Sequence, residues 1–350
     1  MKREIVIGKR RVGAGHPVYV VAELSANHGG NFQRAARTIR AMKAAGADAV
    51  KLQTYTADTL TIACDNKFFR IKGGTPWDGR TLHELYQEAA MPWDWQPKLQ
   101  KIAHEIGLDF FSTPFDAGAV DFLEELKVPV HKIASFELVD IPLIRKVAAT
   151  GKPIIASTGM ATIAEIKEAL GAARKAGAKQ IALLKCTSAY PAKPEEMNLR
   201  TLPDMAERFG VPVGLSDHTM DIAAPVAAVA LGACIVEKHF TLSRKFSGPD
   251  SAFSLEPDEF GKMVAAIRSA EKALGGVNYT ISAGEKKSRK FRRSLFVVEN
   301  VKAGEPFTGE NVRSIRPGDG LHTRHLDEVL GKKAARDVKR GTPMKRNLLR

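Results

Sequence analysis

Two histidines, His218 and His239, are the side chains in this sequence best placed to bind a metal ion. Each stands at the end of a short apolar run, and an alanine-rich helical run over residues 221–231 separates them. The order strand, helix, strand predicts two parallel neighbouring strands. Side chains alternate along a strand, so Ser216 shares a face with His218, and Glu237 shares one with His239. A histidine at such a position is either a metal ligand or a hydrogen-bonded structural residue.

A repeated pattern over the first 275 residues positions these strand ends. A helical run ends in glycine, a few residues follow, and an apolar run then ends in polar side chains. The pattern occurs in AAGADAVKLQTY, HEIGLDFFSTP, ATGKPIIASTG, KAGAKQIALLKCTS, RFGVPVGLSDH and ALGACIVEKHF. Glycine there allows the left-handed conformation that ends a helix. YVVAELSA and VPVHKIAS add two strands, so the sequence predicts an α/β fold with eight βα units, a TIM barrel over residues 1–275.

The sequence pattern changes after residue 275. Residues 276–290 are polar and glycine-containing and predict a linker, and residues 291–350 consist of short β-like runs that predict a small separate domain. Residues 56–92 interrupt the second βα unit at the end of the barrel where sites are built, so we expect them to shape a substrate pocket.

Composition bounds the function. No apolar run approaches the roughly 20 residues of a membrane span, and the N-terminus lacks a secretory apolar region. Three cysteines without metal-ligand spacing fit a reducing compartment, so we expect a cytoplasmic protein. The net charge is +14, and from Glu285 onward about eighteen Lys or Arg face about eight Asp or Glu. Few aromatic residues accompany this charge, which favours an anionic small substrate or a solvated surface over nucleic acid.

The predicted strand ends form a ring of polar side chains around the barrel mouth. In chain order these are Glu23, Asn27, Lys51, Gln53, Ser112, Thr113, Lys132, Ser135, Ser157, Thr158, Lys185, Thr187, Ser188, Ser216, His218, Glu237 and His239. Lysines are rarely buried unless paired. Several lysines and hydroxyls together suit a phosphate or carboxylate ligand, although any one lysine could instead be paired with a glutamate of the core.

The ordered series AELSANHGG, KLQTYT, FSTPFD, HKIASFE, STGM, KCTSAYP, GLSDHT, VEKHFTL and GPDSAFSL resembles the motifs of the sialic acid synthase family. The resemblance covers nearly the whole chain and includes SIRPGDGLH in a C-terminal antifreeze-like (SAF, β-clip) domain. It implies a transferase that condenses phosphoenolpyruvate with an amino-sugar to give a nine-carbon nonulosonic acid. ELSANH, KLQTYT, DSAFSL and the KGG-to-ELYQEA insertion are most similar to the branch that makes pseudaminic acid.

The resemblance also implies residue roles. The metal, Mn²⁺ with Mg²⁺ or Co²⁺ as alternatives, would be bound by His218 and His239. Phosphoenolpyruvate would be held by Lys51, Gln53, Thr113, Lys132, Ser135, Ser157, Ser188 and Ser216. The sugar would contact Glu23, Asn27, Glu137, Tyr190, Asp250 and, from the partner chain of a domain-swapped homodimer, Arg316. Catalytic roles fall to Glu23, His218, His239 and Asp250.

Other functions stay open at this point. Ser188 occupies the place of an Asn in the N-acetylneuraminate synthase pattern, whereas Gly248–Asp250 are shared with that branch, so N-acetylneuraminate or legionaminate synthesis is an alternative. A 3-deoxy-heptulosonate synthase relative would share the chemistry but should lack the SAF domain. A non-catalytic protein that binds carbohydrate or nucleic acid would need neither the histidine pair nor the lysines.

Overall fold

The computed structural model describes residues 4–75, 77–246 and 248–350. The chain divides into two compact units, Met1–Gly275 and Gly276–Arg350. A hairpin opens the first unit, with antiparallel strands β1 (Glu4–Ile7) and β2 (Arg10–Gly13). This hairpin was not predicted from the sequence. It contacts the start of two barrel strands, since Arg10 lies 2.6 Å from Asp48 and 3.7 Å from Asp109.

Eight parallel strands close into a barrel, as predicted, in the order β10-β3-β4-β5-β6-β7-β8-β9. Their bounds are β3 (Tyr19–Glu23), β4 (Ala49–Thr54), β5 (Asp109–Pro114), β6 (His131–Ile133), β7 (Ile154–Ser157), β8 (Ile181–Cys186), β9 (Val213–Asp217) and β10 (Ile235–His239). Buried apolar residues predominate in the first half of most of these strands because helices cover the outside of the barrel. Polar residues enter near the carboxyl ends.

Helices follow the strands in the βα order that the sequence predicted. Those of the first unit are α1 (Phe32–Ala44), α2 (Ala57–Leu60), α3 (Leu82–Ala89), α4 (Gln96–Glu105), α5 (Ala117–Glu125), α6 (Ile141–Ala149), α7 (Ile163–Lys175), α8 (Thr201–Phe209), α9 (Ala223–Ala230) and α10 (Pro257–Leu274). Helix α7 begins with a capping box between Thr162 and Glu165. Gly210, with φ 68°, ends α8 in the left-handed conformation, as the repeated glycine pattern predicts.

The segment over residues 56–92 carries α2 and α3 and contains a local turn. Asp78 accepts hydrogen bonds from the backbone N–H groups of Gly73, Gly74 and Thr75, which closes this turn. The Trp77 indole N–H donates to the carbonyl of Pro249, 3.0 Å away. The insertion is therefore attached to the loop that follows β10.

The second unit has a small core of its own. Helix α11 (Ala283–Ser288) lies within the predicted linker, strands β11 (Ser294–Val297) and β12 (Val312–Ile315) pair in an antiparallel manner, and α12 (Leu326–Val329) follows. The core consists of Leu295, Val297, Val301, Phe307, Val312, Val329, Ala334, Val338, Met344 and Leu348. In the described ranges of both units, no helix is long and apolar enough to cross a membrane.

Candidate active site

The two histidines meet at the mouth of the barrel. Strands β9 and β10 are parallel neighbours, His218 follows the end of β9, and His239 ends β10. Their ring centroids are 5.4 Å apart. The strand–helix–strand prediction for this region is confirmed, and it brings together two imidazoles that are 21 residues apart in the sequence.

Hydrogen bonding fixes how His218 presents its ring. Nδ1 lies 2.9 Å from the carbonyl oxygen of Thr187 and 3.9 Å from the Cys186 sulfur. Burial alone would lower the pKa of His218. Its contacts with Cys186 and Thr187 raise the pKa by more than burial lowers it, so the pKa of His218 is raised overall. Because Nδ1–H donates to the carbonyl, Nε2 is the ring nitrogen left to bind a metal once it has released its proton. Metal-bound histidines are usually oriented by a hydrogen bond from the other ring nitrogen to a carboxylate, a backbone carbonyl or a water.

His239 is held in its neutral form. Burial lowers its pKa well below the usual range, and the positive charges on His218 and Lys51 act in the same direction. Its Nδ1 is buried and has no hydrogen-bond partner within the described part of the chain. A buried, unpartnered ring nitrogen is costly unless a ligand completes it.

These observations fit a divalent cation with few protein ligands. Residues 4–75, 77–246 and 248–350 contain no group of three or more His, Cys, Asp or Glu placed to hold a metal ion. Two imidazole nitrogens would leave most coordination positions for water and substrate oxygen, which is the arrangement of a catalytic rather than a structural metal.

Four buried charges line the wall beside the histidines. Lys51 forms an ion pair with Glu23 and lies 3.6 Å from Glu237, which is 3.9 Å from Lys132. Burial raises the pKa of Glu23 to about 7 even though Lys51 lowers it. Burial also favours the neutral form of Glu237, but Lys132 and Lys51 outweigh it and lower the pKa. The sequence prediction placed Glu237 in the ring of polar strand ends, where it could pair with a lysine, but gave it no substrate or metal role.

The predicted hydroxyls surround the two lysines. Lys132 donates to Ser157 at 2.6 Å, Lys51 donates to Thr113 at 3.3 Å, and Ser216 donates to Glu237 at 3.1 Å. Burial lowers the pKa of Lys132. An ammonium with no matching carboxylate in closest contact can take an anionic ligand as its partner.

Ser135 and Ser188 converge on a tight spot next to this cluster. Gly159 donates its N–H to the Ser135 hydroxyl at 3.1 Å. A Cβ atom at Gly159 would collide with the hydroxyls of both serines. The space over Gly159 is therefore small and lined with polar atoms. Gln53 is half-buried on the neighbouring strand β4.

The predicted sugar-binding residues differ in how many of their polar atoms already have hydrogen-bond partners within the protein. One carboxylate oxygen of Glu137 is buried with no hydrogen-bond partner in the described chain, and burial raises the pKa of Glu137 to about 7. Asp250 accepts from Ser25 and from the Ala26 N–H, and burial raises its pKa. The side-chain amide of Asn27 donates one hydrogen bond to the Phe240 carbonyl oxygen and one to the Ser254 hydroxyl. Its geometry favours holding the loop, and sugar contact by Asn27 stays a prediction.

Aromatic rings form one side of the site. The Tyr190 ring lies 4.4 Å from His218, and the Phe253 ring lies 5.1 Å from His239, between centroids. Trp77, from the insertion, lies 5.9 Å from Tyr190 and 6.4 Å from Phe253. Tyr190 was predicted as a site residue from the sequence, whereas Phe253 and Trp77 were not. An isolated aromatic residue in a loop gives no signal that it will reach a distant strand end.

Arg316 belongs to the second unit. It follows strand β12 directly, and it is exposed. Its predicted contact with sugar in a partner's barrel stays a prediction.

Comparison with known proteins gives two domain matches. Residues 38–279 match the NeuB family, and residues 292–350 match the SAF domain. The first match spans more than half of the chain and contains both histidines, both lysines and Glu237.

Individual relatives cover almost the full length. The chain is 45% identical to a pseudaminic acid synthase of Campylobacter jejuni, over 94% of this chain and 95% of the relative. It is 44% identical to the pseudaminic acid synthase of Helicobacter pylori, over 94% and 96%. The crystal structure of an N-acetylneuraminic acid synthetase from Leptospira borgpetersenii, bound to citrate, superposes with a TM-score of 0.73 at 32% identity, covering 82% of this chain and 95% of the other.

Proposed function

The chain belongs to the NeuB family, and from that membership and its barrel mouth we propose that it is a phosphoenolpyruvate-dependent nonulosonate synthase that makes pseudaminic acid. Its substrates are phosphoenolpyruvate, 2,4-diacetamido-2,4,6-trideoxy-L-altrose and water, and its products are pseudaminic acid and phosphate. The observation that carries this assignment is the set of two buried lysines beside two facing imidazoles. The lysines form a site for an anion, and the imidazoles beside them form a site for a metal ion that can activate an electrophile.

Phosphoenolpyruvate fits the lysine side of the site. Lys51 and Lys132, with the hydroxyls of Thr113, Ser135, Ser157, Ser188 and Ser216 and the amide of Gln53, supply the donors that a phosphate and a carboxylate require. Because these side chains are positioned before the substrate arrives, they lose little freedom on binding. We assign them to this substrate.

The sugar aldehyde is placed at the histidine side. A divalent cation held by His218 and His239, which we take to be Mn²⁺ with Mg²⁺ or Co²⁺ able to substitute, supplies Lewis-acid polarisation of the aldehyde when bound. C3 of phosphoenolpyruvate forms the new bond to the aldehyde carbon, and C2 becomes an oxocarbenium centre. Water adds at C2, and the C–O bond of the resulting tetrahedral intermediate breaks to release phosphate.

Carboxyl groups near C2 and the sugar would transfer protons and orient the sugar. Glu23, with its pKa near 7, can exchange a proton around neutral pH. Tyr190 and Asp250 lie on the histidine side and are assigned to orienting the sugar, together with Glu137, one of whose carboxylate oxygens has no hydrogen-bond partner among the described residues. Asn27 supports the loop that carries these contacts.

The second unit completes the site in a homodimer, in this proposal. Arg316 of one chain would contact the sugar's N-acyl group in the barrel of the other, since a planar guanidinium suits a carbonyl oxygen. Residues 276–290, predicted as a linker and forming the first part of the second unit, would permit the exchange, and closed two-fold symmetry would make it reciprocal. Three free cysteines and the use of phosphoenolpyruvate support a cytoplasmic location.

Phosphate release across a panel of amino-sugars tests the substrate. We expect the highest kcat/KM with the diacetamido-trideoxy-altrose. Sites built around polar groups of a substrate reject analogues that lack them by large factors. An equal or higher kcat/KM with N-acetylmannosamine would contradict the assignment, and preference for the legionaminic acid precursor would move the chain to that branch.

A further inference from the structure

A buried ion pair lies directly behind the two histidines. Lys238 and Asp217 have fully buried side chains and form an ion pair across the β9–β10 boundary. Each is the immediate neighbour of one histidine in the sequence, and side chains alternate along a strand. The pair therefore occupies the outer face of the barrel wall while the histidines point to its mouth.

Asp217 and Lys238 lie at the last paired position of strands β9 and β10. The register between β9 and β10 runs from Val236 with Leu215 to Lys238 with Asp217, and His218 is one residue beyond it. The ammonium of Lys238 also donates to the carbonyl oxygen of Thr219. It thus reaches past His218 and ties the next residue to β10.

Asp217 shapes the same turn from the other side. One carboxylate oxygen accepts from the Thr219 N–H at 3.0 Å, and the other accepts from the Thr219 hydroxyl at 3.0 Å. The backbone on both sides of His218 is thereby fixed to one carboxylate. Lys238 joins that carboxylate to the strand that carries His239.

Stability alone does not account for a pair of this kind. Removing two charges from water carries a desolvation penalty for each ion, and apolar residues of similar volume often stabilise a core as well or better. Buried ionic groups are best attested where they fix a unique arrangement. Here the arrangement they fix is the relative position of two imidazoles.

We propose that Asp217 and Lys238 are positioning residues that hold His218 and His239 at the spacing required to share one divalent cation. The proposal rests on the metal role given to the histidines under the proposed function. Neither side chain touches substrate or metal. Both act through the backbone of the ligands, as outer hydrogen-bonding partners do in metal sites.

Binding of Mn²⁺ to the full-length protein, measured by calorimetry or by electron paramagnetic resonance, tests the proposal. The double variant Asp217→Asn/Lys238→Met removes both charges without leaving one unpaired. We expect its affinity for Mn²⁺ to fall by about 10- to 100-fold. The KM for phosphoenolpyruvate should stay within about threefold, because the lysines of that site are untouched.

Two further variants separate positioning from folding. Arg268→Met/Asp48→Asn removes the 2.8 Å ion pair of these two residues before strand β4, together with the pairs that Asp48 makes with Arg10 and Arg268 makes with Glu271. It should lower the melting temperature and leave Mn²⁺ affinity unchanged. Thr219→Val keeps Lys238 and Asp217 but removes the Thr219 hydroxyl, which donates to Asp217 at 3.0 Å and accepts from Lys238 at 3.5 Å. We expect its Mn²⁺ affinity to fall by about three- to tenfold.

Unchanged Mn²⁺ affinity, within twofold, in the folded double variant would overturn the proposal. If that variant does not fold, the same result with Thr219→Val overturns it. Failure of the wild-type protein to bind Mn²⁺ would overturn the metal assignment and this proposal together. Phosphate release that persists under chelation would then show that the synthase assignment itself still stands.

Discussion

At the scale of single residues, His218 and His239 carry the sharpest prediction. Replacing His239 with Ala should lower the rate of phosphate release by about a thousandfold or more, since loss of Lewis-acid stabilisation removes several kcal/mol at the transition state. Circular dichroism should be unchanged. Chelation should abolish the activity of the wild-type enzyme, and added Mn²⁺ should restore it.

The control for the histidine variant is His104→Ala, which alters an exposed histidine on α4. It should retain normal activity. Full turnover of the wild-type enzyme in metal-free buffer would show that the imidazoles have another role.

Glu137 carries a pH-dependent prediction. Its pKa is raised to about 7 by burial, so the folded protein binds a proton that the unfolded chain releases above about 4.5. Its contribution to stability is therefore present below about pH 4.5 and is lost as pH rises through about 7. Without ligands, Glu137→Gln should be more stable than wild type at pH 8, by about 1–2 kcal/mol after allowance for partial exposure.

Urea unfolding of the two proteins at pH 5 and pH 8 measures this difference. Glu168→Gln, at an exposed position of α7, is the matched control and should follow wild type at both pH values. Equal stability of Glu137→Gln and wild type at pH 8 would mean that the Glu137 carboxyl is solvated in the folded protein.

At the scale of elements, the insertion over residues 56–92 gives its own prediction. Trp77 extends the aromatic side formed by Tyr190 and Phe253 and donates to Pro249, next to Asp250. The proposed sugar has a methyl group at C6, and apolar contact discriminates a single such group by about 10- to 200-fold. Trp77→Ala should raise the KM for the sugar and leave the KM for phosphoenolpyruvate near its wild-type value.

Two variants control for the insertion. Trp77→Phe keeps a ring and loses the hydrogen bond, so we expect an intermediate KM for the sugar. Phe68→Ala removes an aromatic side chain of the same insertion that is 76% exposed and should have no effect. Equal increases in the two KM values for Trp77→Ala would indicate a general disturbance of the barrel mouth.

The barrel and its strand ends could be predicted from the sequence because their signals are local. Each helix, glycine and apolar strand repeats over about 30 residues, and a polar residue after a strand lies at the mouth whatever the details of packing. The N-terminal hairpin escaped prediction, since two four-residue strands give little periodicity. The α11 helix escaped for the same reason, as its six residues include no large apolar side chain.

Side-chain partnerships were less accessible than strand positions. Lys238 and Asp217 are buried together across two strands, yet each looks in the sequence like an ordinary charged residue beside a histidine. Asn27 shows the opposite case. The sequence suggests a binding residue beyond a strand end, but its side-chain amide donates hydrogen bonds to Phe240 and Ser254 within the protein. Such pairings depend on which distant atoms come within 3 Å, and periodicity carries no information about that.

At the scale of the whole molecule, the question is how many chains complete one active site. The proposed site draws His218 and His239 from one barrel and Arg316 from the other chain of a dimer. Arg316→Ala and His239→Ala homodimers should therefore each be nearly inactive. The two defects lie on different polypeptides of each hybrid dimer, so one of its two sites carries neither substitution.

Co-expression of the Arg316→Ala and His239→Ala chains tests this arrangement. With random pairing about half of the dimers are hybrids, and each has one intact site, so roughly a quarter of wild-type phosphate release should return. Co-expressed His218→Ala and His239→Ala chains are the matched control, because both defects lie in the barrel and no hybrid site is intact. No recovery in verified Arg316→Ala/His239→Ala hybrids would mean that Arg316 serves its own chain or none.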